Sequence, residues 1–259
     1  MIFYMAFNLE QKGKILAKID GGKFNNKIVS ITDKESDEVS KNFSNIHIPD
    51  DGKFQQIPDP EIERQIIYVF GPSGSGKSYY SKQYIKEWKK QKKSDKVYLF
   101  SSLEDDKSLD DIKPKRINID KKLVNDPIDT EMFKNSMVIF DDIDVIRDKE
   151  IKEAVYDILN SILEIGRHFN IDCILTNHLP SNGKDTRRIL NECHSITYFP
   201  HSGAGRQQKY FLENYAGLDI KEMKKIKKMN TRWATIFKTY PMCVMTEKDL
   251  FTFDDLTEQ

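Results

Sequence analysis

Short apolar runs recur along the middle of this chain, each set off by a longer polar stretch. Ile66-Ile67-Tyr68-Val69-Phe70, Val97-Tyr98-Leu99-Phe100, Met137-Val138-Ile139-Phe140 and Ile171-Asp172-Cys173-Ile174-Leu175-Thr176 are rich in β-branched and aromatic residues, and Ser195 to Phe199 is another run of this kind. Runs so short and so nearly continuous read as strands buried on both faces. The intervals between them carry the helical period instead. Tyr79 to Lys90 contains neither Gly nor Pro, Glu150 to Phe169 sets Ile151, Val155, Ile158, Ile162 and Ile165 at helical spacing, and Thr186 to Cys193 reads as a shorter helix. Residues 103 to 134 are polar and mixed, and there only short elements are expected. Strands that alternate with helices predict a parallel sheet with helices on both faces.

The two ends follow another pattern. Met1 to Phe7 is an apolar opening strand or packing arm, and Ile15-Leu16-Ala17 and Lys27-Ile28-Val29-Ser30-Ile31 flank Gly21-Gly22 as a hairpin would. A second turn is expected at Asp50-Asp51-Gly52, between Ile46-His47-Ile48 and Phe54, with Pro49, Pro58 and Pro60 punctuating the approach to the central region. Near the other end, Asp219 to Met229 reads as a lysine-rich helix. Trp233-Ala234-Thr235-Ile236-Phe237 and Met242-Cys243-Val244-Met245, on either side of Tyr240-Pro241, read as a terminal hairpin. The expected division is a β-rich cap over 1–60, an α/β core over 61–215, and a basic helix with a hairpin over 216–259 packed on the core.

Composition narrows the function classes. Among 259 residues, 32% are charged and 38% apolar, enough for an ordinary core under a densely charged surface, yet the formal net charge is +0. A neutral molecule has no global field to draw in nucleic acid, so such binding would need a local basic patch. Cys173, Cys193 and Cys243 are far apart and form no C-x-x-C pair, which argues against a zinc site or a disulfide framework and fits a reducing compartment. No run is long enough to span a bilayer, and Met1 to Phe7 lacks the basic flank and cleavage site of a signal peptide. A soluble, non-secreted protein with no membrane partner is expected.

The chemistry begins where the first central strand ends. Gly71-Pro72-Ser73-Gly74-Ser75-Gly76-Lys77-Ser78 is a complete G-x-x-x-x-G-K-[ST] phosphate-binding loop, with a strand before it and a helix opening at Tyr79 after it. The glycines let the backbone aim its N–H groups at phosphate oxygens, and the helix N-terminus adds partial positive charge. Lys77 is placed to reach the β- and γ-phosphates of ATP and Ser78 to ligate Mg²⁺. The strand at Met137 ends in Asp141-Asp142, a Walker B pattern. Asp141 would hold the metal and Asp142 would polarise the attacking water.

The next strand ends in Asn177-His178, either of which could touch the γ-phosphate and report its loss. Arg167, in Gly166-Arg167-His168-Phe169, could serve a neighbouring subunit as an arginine finger; at a helix C-terminus it could equally be an ordinary surface residue favoured by the dipole. Lysines crowd two stretches, one with Lys86, Lys89, Lys90, Lys92, Lys93 and Lys96, the other with Lys221, Lys224, Lys225, Lys227 and Lys228. Each suits a solvated helix face or contact with a nucleic-acid backbone, and Arg187 and Arg188 add to the second possibility.

Phosphate loop, Asp141-Asp142, long helix, Gly166-Arg167-His168-Phe169, apolar strand and Asn177-His178-Leu179-Pro180-Ser181, in this order, resemble the HerA/FtsK superfamily of DNA-pumping ATPases. Within it the chain is most similar to the genome-packaging ATPases of poxviruses, giant viruses and virophages. Arg232-Trp233 and Lys238-Thr239-Tyr240-Pro241 resemble the tail of that viral group. The resemblance covers roughly residues 60 to 245.

It implies an additional-strand, RecA-like P-loop NTPase with a mostly parallel central sheet, a small β-rich N-terminal extension and a C-terminal β-hairpin. It further implies ATP hydrolysis with Mg²⁺, coupled to movement of double-stranded DNA into a capsid by a pentameric or hexameric homo-oligomeric ring. A capsid or nuclease partner is implied too, as is a place in the viral factory of the host cytoplasm or in the virion. Arg167 matches the trans-acting arginine; His178 stands where relatives have glutamine, and Asp142 where many have glutamate. The residues by themselves leave two other readings open, a small-molecule kinase and a nucleotide-binding scaffold without catalysis.

Overall fold

The computed structural model describes residues 5–33, 43–49, 51–203 and 205–253. Contacts divide the chain into two units, Met1–Glu61 with Ser195–Gln259, and Ile62–His194. The expected residues Met1–Tyr4 of the opening strand and Asp50 of the second turn lie outside the described residues.

In the unit made of the two chain ends, strands β1 (Met5–Asn8), β2 (Lys14–Asp20), β3 (Ile28–Asp33), β4 (Asn45–His47) and β5 (Lys53–Gln56) come first. β2 and β3 form the hairpin that Gly21-Gly22 signals. Both glycines have positive φ, 83° and 67°, and a Cβ on Gly21 would sit 2.4 Å from the Asp51 carbonyl oxygen. β1, β3, β2 and β5 make an antiparallel sheet in that order.

The unit between, Ile62–His194, carries the nucleotide motifs. Its elements are β6 (Ile66–Phe70), α1 (Lys77–Lys92), β7 (Val97–Ser101), α2 (Lys107–Asp110), β8 (Lys115–Ile117), α3 (Lys122–Asn125), β9 (Met137–Asp141), α4 (Lys149–Ile165), β10 (Asp172–Asn177) and α5 (Lys184–Glu192). The strands lie side by side as β6-β10-β9-β7-β8, every pair parallel. β10 therefore separates the strand of the phosphate loop from the strand of Asp141, which defines the additional-strand type. β6, β9 and β10 are buried at every position, so their continuous apolar runs reflect cover on both faces. α4 has the capping signal at its start, the Asp148 side chain accepting from the N–H of Ile151, and it buries Val155, Ile158, Leu159, Ile162 and Leu163. Its last turn is held by Arg64, whose guanidinium donates to the carbonyls of Ile162 and Leu163 at 2.9 and 3.2 Å.

The chain then returns to the first unit with β11 (Ser195–Tyr198), α6 (Gly205–Tyr215), α7 (Ile220–Lys228), β12 (Ala234–Phe237), β13 (Cys243–Thr246) and β14 (Asp249–Thr252). The expected hairpin is β12–β13. It lies inside an antiparallel run, β4-β14-β13-β12-β11, because β11 pairs with β12 and β4 pairs with β14. The division accordingly falls between His194 and Ser195 and not at 215, and the first 61 residues join the tail as one unit. A single apolar cluster binds them: Phe7, Leu16, Ile19, Val29, Ile31 and Phe54 from the early strands pack with Phe237, Cys243, Met245 and Leu250 from the late ones.

Candidate nucleotide-binding site

The phosphate loop bridges β6 and α1. Gly74 and Gly76 both have positive φ, 76° and 112°, and Gly76 is the left-handed residue from which α1 starts. A side chain at either would be strained, and around Gly74 there is open space within 4 Å where a Cβ would project. The loop is fastened to the neighbouring strand by the Gly71 N–H, which donates to the Asn177 carbonyl at 3.1 Å, and closed on itself by the Ser75 N–H donating to Pro72. Lys77 is buried; its Nζ donates to the Gly71 carbonyl at 3.1 Å and lies 3.3 Å from Asp142 Oδ1. Tyr79, just past the loop, is exposed.

The carboxylates arise from strand register. Parallel pairing sets Ser101, Asp141 and Thr176 abreast at the ends of β7, β9 and β10. Both hydroxyls donate to Asp141, Thr176 at 2.8 Å and Ser101 at 3.2 Å. Asp141 is buried, and burial, followed by the charge of Asp142, pushes its carboxyl up to about 6 against those two hydrogen bonds. Asp142 then turns the chain with a left-handed φ of 48°, and its N–H donates to both the carbonyl and the hydroxyl of Thr176.

The tip of β10 splits the two residues that sequence reasoning treats as alternatives. His178 comes beside the carboxylates, its Nε2 3.3 Å from Asp142 Oδ2 and its Nδ1 3.8 Å from Asp144 Oδ1. Asn177 is fully buried, and its side-chain N–H donates to the Tyr68 hydroxyl at 3.3 Å. By strand alternation it faces the side of the sheet opposite Thr176, and it is its backbone carbonyl that bonds the phosphate loop. Arg167 does not join the group. It lies in the 3₁₀ turn Gly166–Phe169 ahead of β10, 73% exposed, with its Nε donating to Glu63 at 3.0 Å just ahead of β6. Parallel strands begin at that end and finish at the phosphate loop, so Arg167 and its own loop stand at opposite ends of the sheet.

Ser101, Thr176 and Asp144 were missed from sequence. The signal for the first two is a small hydroxyl residue closing an apolar strand, legible only once register is known. Asp144 sits in Asp141-Asp142-Ile143-Asp144 and looks like surface acid, yet its side chain is only 6% exposed. Half of the first lysine-rich stretch is engaged within the chain: Lys86 joins Lys82 on Asp111, Lys89 meets Asp95 and the Ile112 carbonyl, and Lys90 meets Glu87, while Lys92, Lys93 and Lys96 are exposed. On α7, Lys221, Lys224, Lys227 and Lys228 are exposed, opposite the buried Ile226. Arg188 contacts Glu164. The three cysteines are buried thiols. Among the described residues no helix is long and apolar enough to cross a membrane.

Over 250 residues, 93% of this chain and 96% of the other, the sequence is 43% identical to the uncharacterized protein V3 of Sputnik virophage. The chain belongs to the same family as V3. No family model matches it. Among solved structures, this member of the V3 family is similar to the monomer form of the pCW3 conjugation coupling protein TcpA with ATPγS, at a TM-score of 0.51 and 15% identity, over 93% of this chain and 78% of that one. It is also similar to B204, the DNA-packaging ATPase from Sulfolobus Turreted Icosahedral Virus, at 0.49 and 16%, over 72% of this chain and 98% of that one. With TcpA the V3-family chain shares a fold, the additional-strand P-loop fold that its own strand order defines.

Proposed function

We propose that this chain is an ATP-driven motor that moves double-stranded DNA, in the setting of packaging a viral genome. The observation that carries the nucleotide half is the convergence of Lys77, Asp141, Asp142 and His178 at one end of the parallel sheet, with a glycine loop shaped for phosphate beside them. The DNA half is supported by the order of motifs, by kinship with a virophage protein, and by the fold shared with a conjugation coupling protein.

ATP is held with its phosphates in the loop from Gly71 to Ser78. Lys77, which leans on Asp142 here, turns to the β- and γ-phosphates. The donor set suits Mg²⁺: a serine hydroxyl at Ser78 and a buried carboxylate at Asp141 that would be relieved by a cation, all hard oxygen ligands. When bound, that ion neutralises charge on the phosphate oxygens. Ser101 and Thr176 orient Asp141. Asp142 takes a proton from the attacking water. The tip of β10 registers the γ-phosphate, since Asn177 is tied to Gly71 and His178 to the carboxylates. Arg167 completes the site of an adjacent subunit in a homo-oligomeric ring, leaving Glu63 for the developing phosphate charge. The exposed lysines of α7 serve the DNA backbone better than Lys86, Lys89 and Lys90 of α1, which are engaged within the chain.

Phosphate release from Mg²⁺-ATP, with and without long duplex DNA at two salt concentrations, tests the proposal, with Lys77→Ala as the blank. The expected result is stimulation by DNA that fades at high salt, because backbone contacts release counterions. Turnover indifferent to DNA overturns the motor; nucleotide binding without turnover in any condition leaves a scaffold.

A further inference from the structure

His178 stands between two carboxylates, and the two sides differ in one respect that decides its chemistry. On one side, Asp144 Oδ1 and His178 Nδ1 are 3.8 Å apart, and both atoms are shut off from solvent with no hydrogen-bond partner. On the other, Nε2 and Asp142 Oδ2 are 3.3 Å apart on side chains 30% and 17% exposed. A neutral imidazole carries one N–H and one lone pair. A lone pair turned to Asp144 would leave two acceptors facing each other where no water can relieve them, at the full cost of an unsatisfied buried group. A proton on Nδ1 gives Asp144 a donor after a closure of about 1 Å to hydrogen-bond length. The buried side thus places the N–H on Nδ1 and leaves the lone pair on Nε2.

The lone pair then faces Asp142 Oδ2, a second acceptor, where solvent can enter. Asp142 Oδ1 is already beside Lys77 at 3.3 Å. Two adjacent acceptors are satisfied at once by a molecule with two donors, and water is such a molecule. We propose that His178 Nε2 and Asp142 Oδ2 together hold the attacking water, and that Asp144 is the positioning residue that makes His178 an acceptor. This rests on the reading of the chain as an ATPase and deepens it. His178 then responds to the γ-phosphate through the water and not by donating to it. The water gives one proton to Asp142 as its oxygen bonds the γ-phosphorus and the bond from that phosphorus to the departing ADP oxygen breaks. Its other hydrogen stays on that oxygen, donating a hydrogen bond to Nε2. A second acceptor suits a site whose base is an aspartate, because the shorter side chain orients water less well alone.

The decisive variant is Asp144→Asn. The backbone N–H of His178 donates to Asp144 Oδ2 at 3.3 Å, and it can only donate. An asparagine must keep its oxygen there and turn its NH₂ towards Nδ1, which moves the ring proton to Nε2. In ¹⁵N spectra of the full chain at pH 8, without nucleotide, wild type is expected to show His178 protonated at Nδ1, and Asp144→Asn protonated at Nε2. Turnover in Asp144→Asn is expected to fall on the order of 10²-fold, the scale of a misplaced general base, with Kd for ATP within about twofold, because the phosphate loop is untouched. His178→Asn, which keeps only the Nδ1 side, should fall as far, and adding Asp144→Asn to it should cost nothing more.

An Nε2 proton in wild type overturns the proposal, as do multiplying losses in the double variant or full turnover in Asp144→Asn. If wild type itself does not hydrolyse ATP, the functional reading fails, while the spectra still decide the tautomer.

Discussion

Asp141 is buried in a way that costs the fold stability, a cost that the proposed cation would relieve, and the cost can be measured. Its carboxyl is raised from 3.8 to about 6, first by burial and then by Asp142. A raised carboxylate penalises the folded state wherever the group is ionised when folded. The penalty is full above the folded value, shrinks as pH falls through about 6, and is gone below 3.8. At about 1.4 kcal/mol per pKa unit, the folded protein carries about 3 kcal/mol at pH 7.5 and about 1 kcal/mol at pH 4.5.

Asp141→Asn removes the charge and keeps an oxygen for the Thr176 hydroxyl, while Ser101 can turn its own hydroxyl to accept. Denaturant unfolding without nucleotide or Mg²⁺ should therefore show the variant more stable by about 1–3 kcal/mol at pH 7.5. The gain should shrink by about 2 kcal/mol at pH 4.5. The same variant should lose Mg²⁺-dependent turnover. A variant no more stable than wild type at pH 7.5, or a gain equally large at both pH values, would refute the assignment of Asp141 as a carboxylate held ready for a cation.

Two further outcomes follow from the same geometry. Thr176→Val keeps the shape of β10 but removes the hydroxyl that donates to Asp141 and accepts from the Asp142 N–H; turnover should drop on the order of 10²-fold, with about 1–2 kcal/mol lost from stability, read by denaturant unfolding. Arg167→Ala should abolish turnover while ATP binding, measured by calorimetry, is retained, and mixing it with Lys77→Ala subunits should restore part of the activity, because in the proposed ring a mixed assembly would contain junctions with an intact loop on one side and an intact arginine on the other. Mixtures that stay inactive would remove the arginine from catalysis.

The central α/β unit was legible because β6, β9 and β10 are covered on both faces and so advertise themselves as unbroken apolar runs. The strand ending in Asp141 and the helix 149–165 each fall within a few residues of the expected limits. What the sequence hid is everything that depends on register. Thr176 and Ser101 acquire meaning only when parallel pairing sets them beside Asp141. Asp144 reads as one acid among many until a 3₁₀ turn after Asp142 folds it inward. The same cause separates Asn177 from His178: a strand puts adjacent side chains on opposite faces, so the two could not share one role. The first and last parts of the chain were harder still. Their strands are short and their pairing is non-local, so a helix at 205–215 and strand β14 escaped notice, and nothing local reveals that β4 lies against β14.

That non-local pairing sets the order in which the protein can be finished. Phe7, Leu16, Ile31 and Phe54 leave the ribosome long before Phe237, Met245 and Leu250, with which they share a core. Residues 62–194 must be synthesised in the interval, which at roughly 5–20 residues per second amounts to on the order of ten seconds. The nucleotide-binding unit is one uninterrupted stretch of chain and has its internal contacts available first. The newborn amino-terminal strands spend that interval as half a core, so a nascent chain halted near residue 194 should depend on chaperones in a way that the completed one does not.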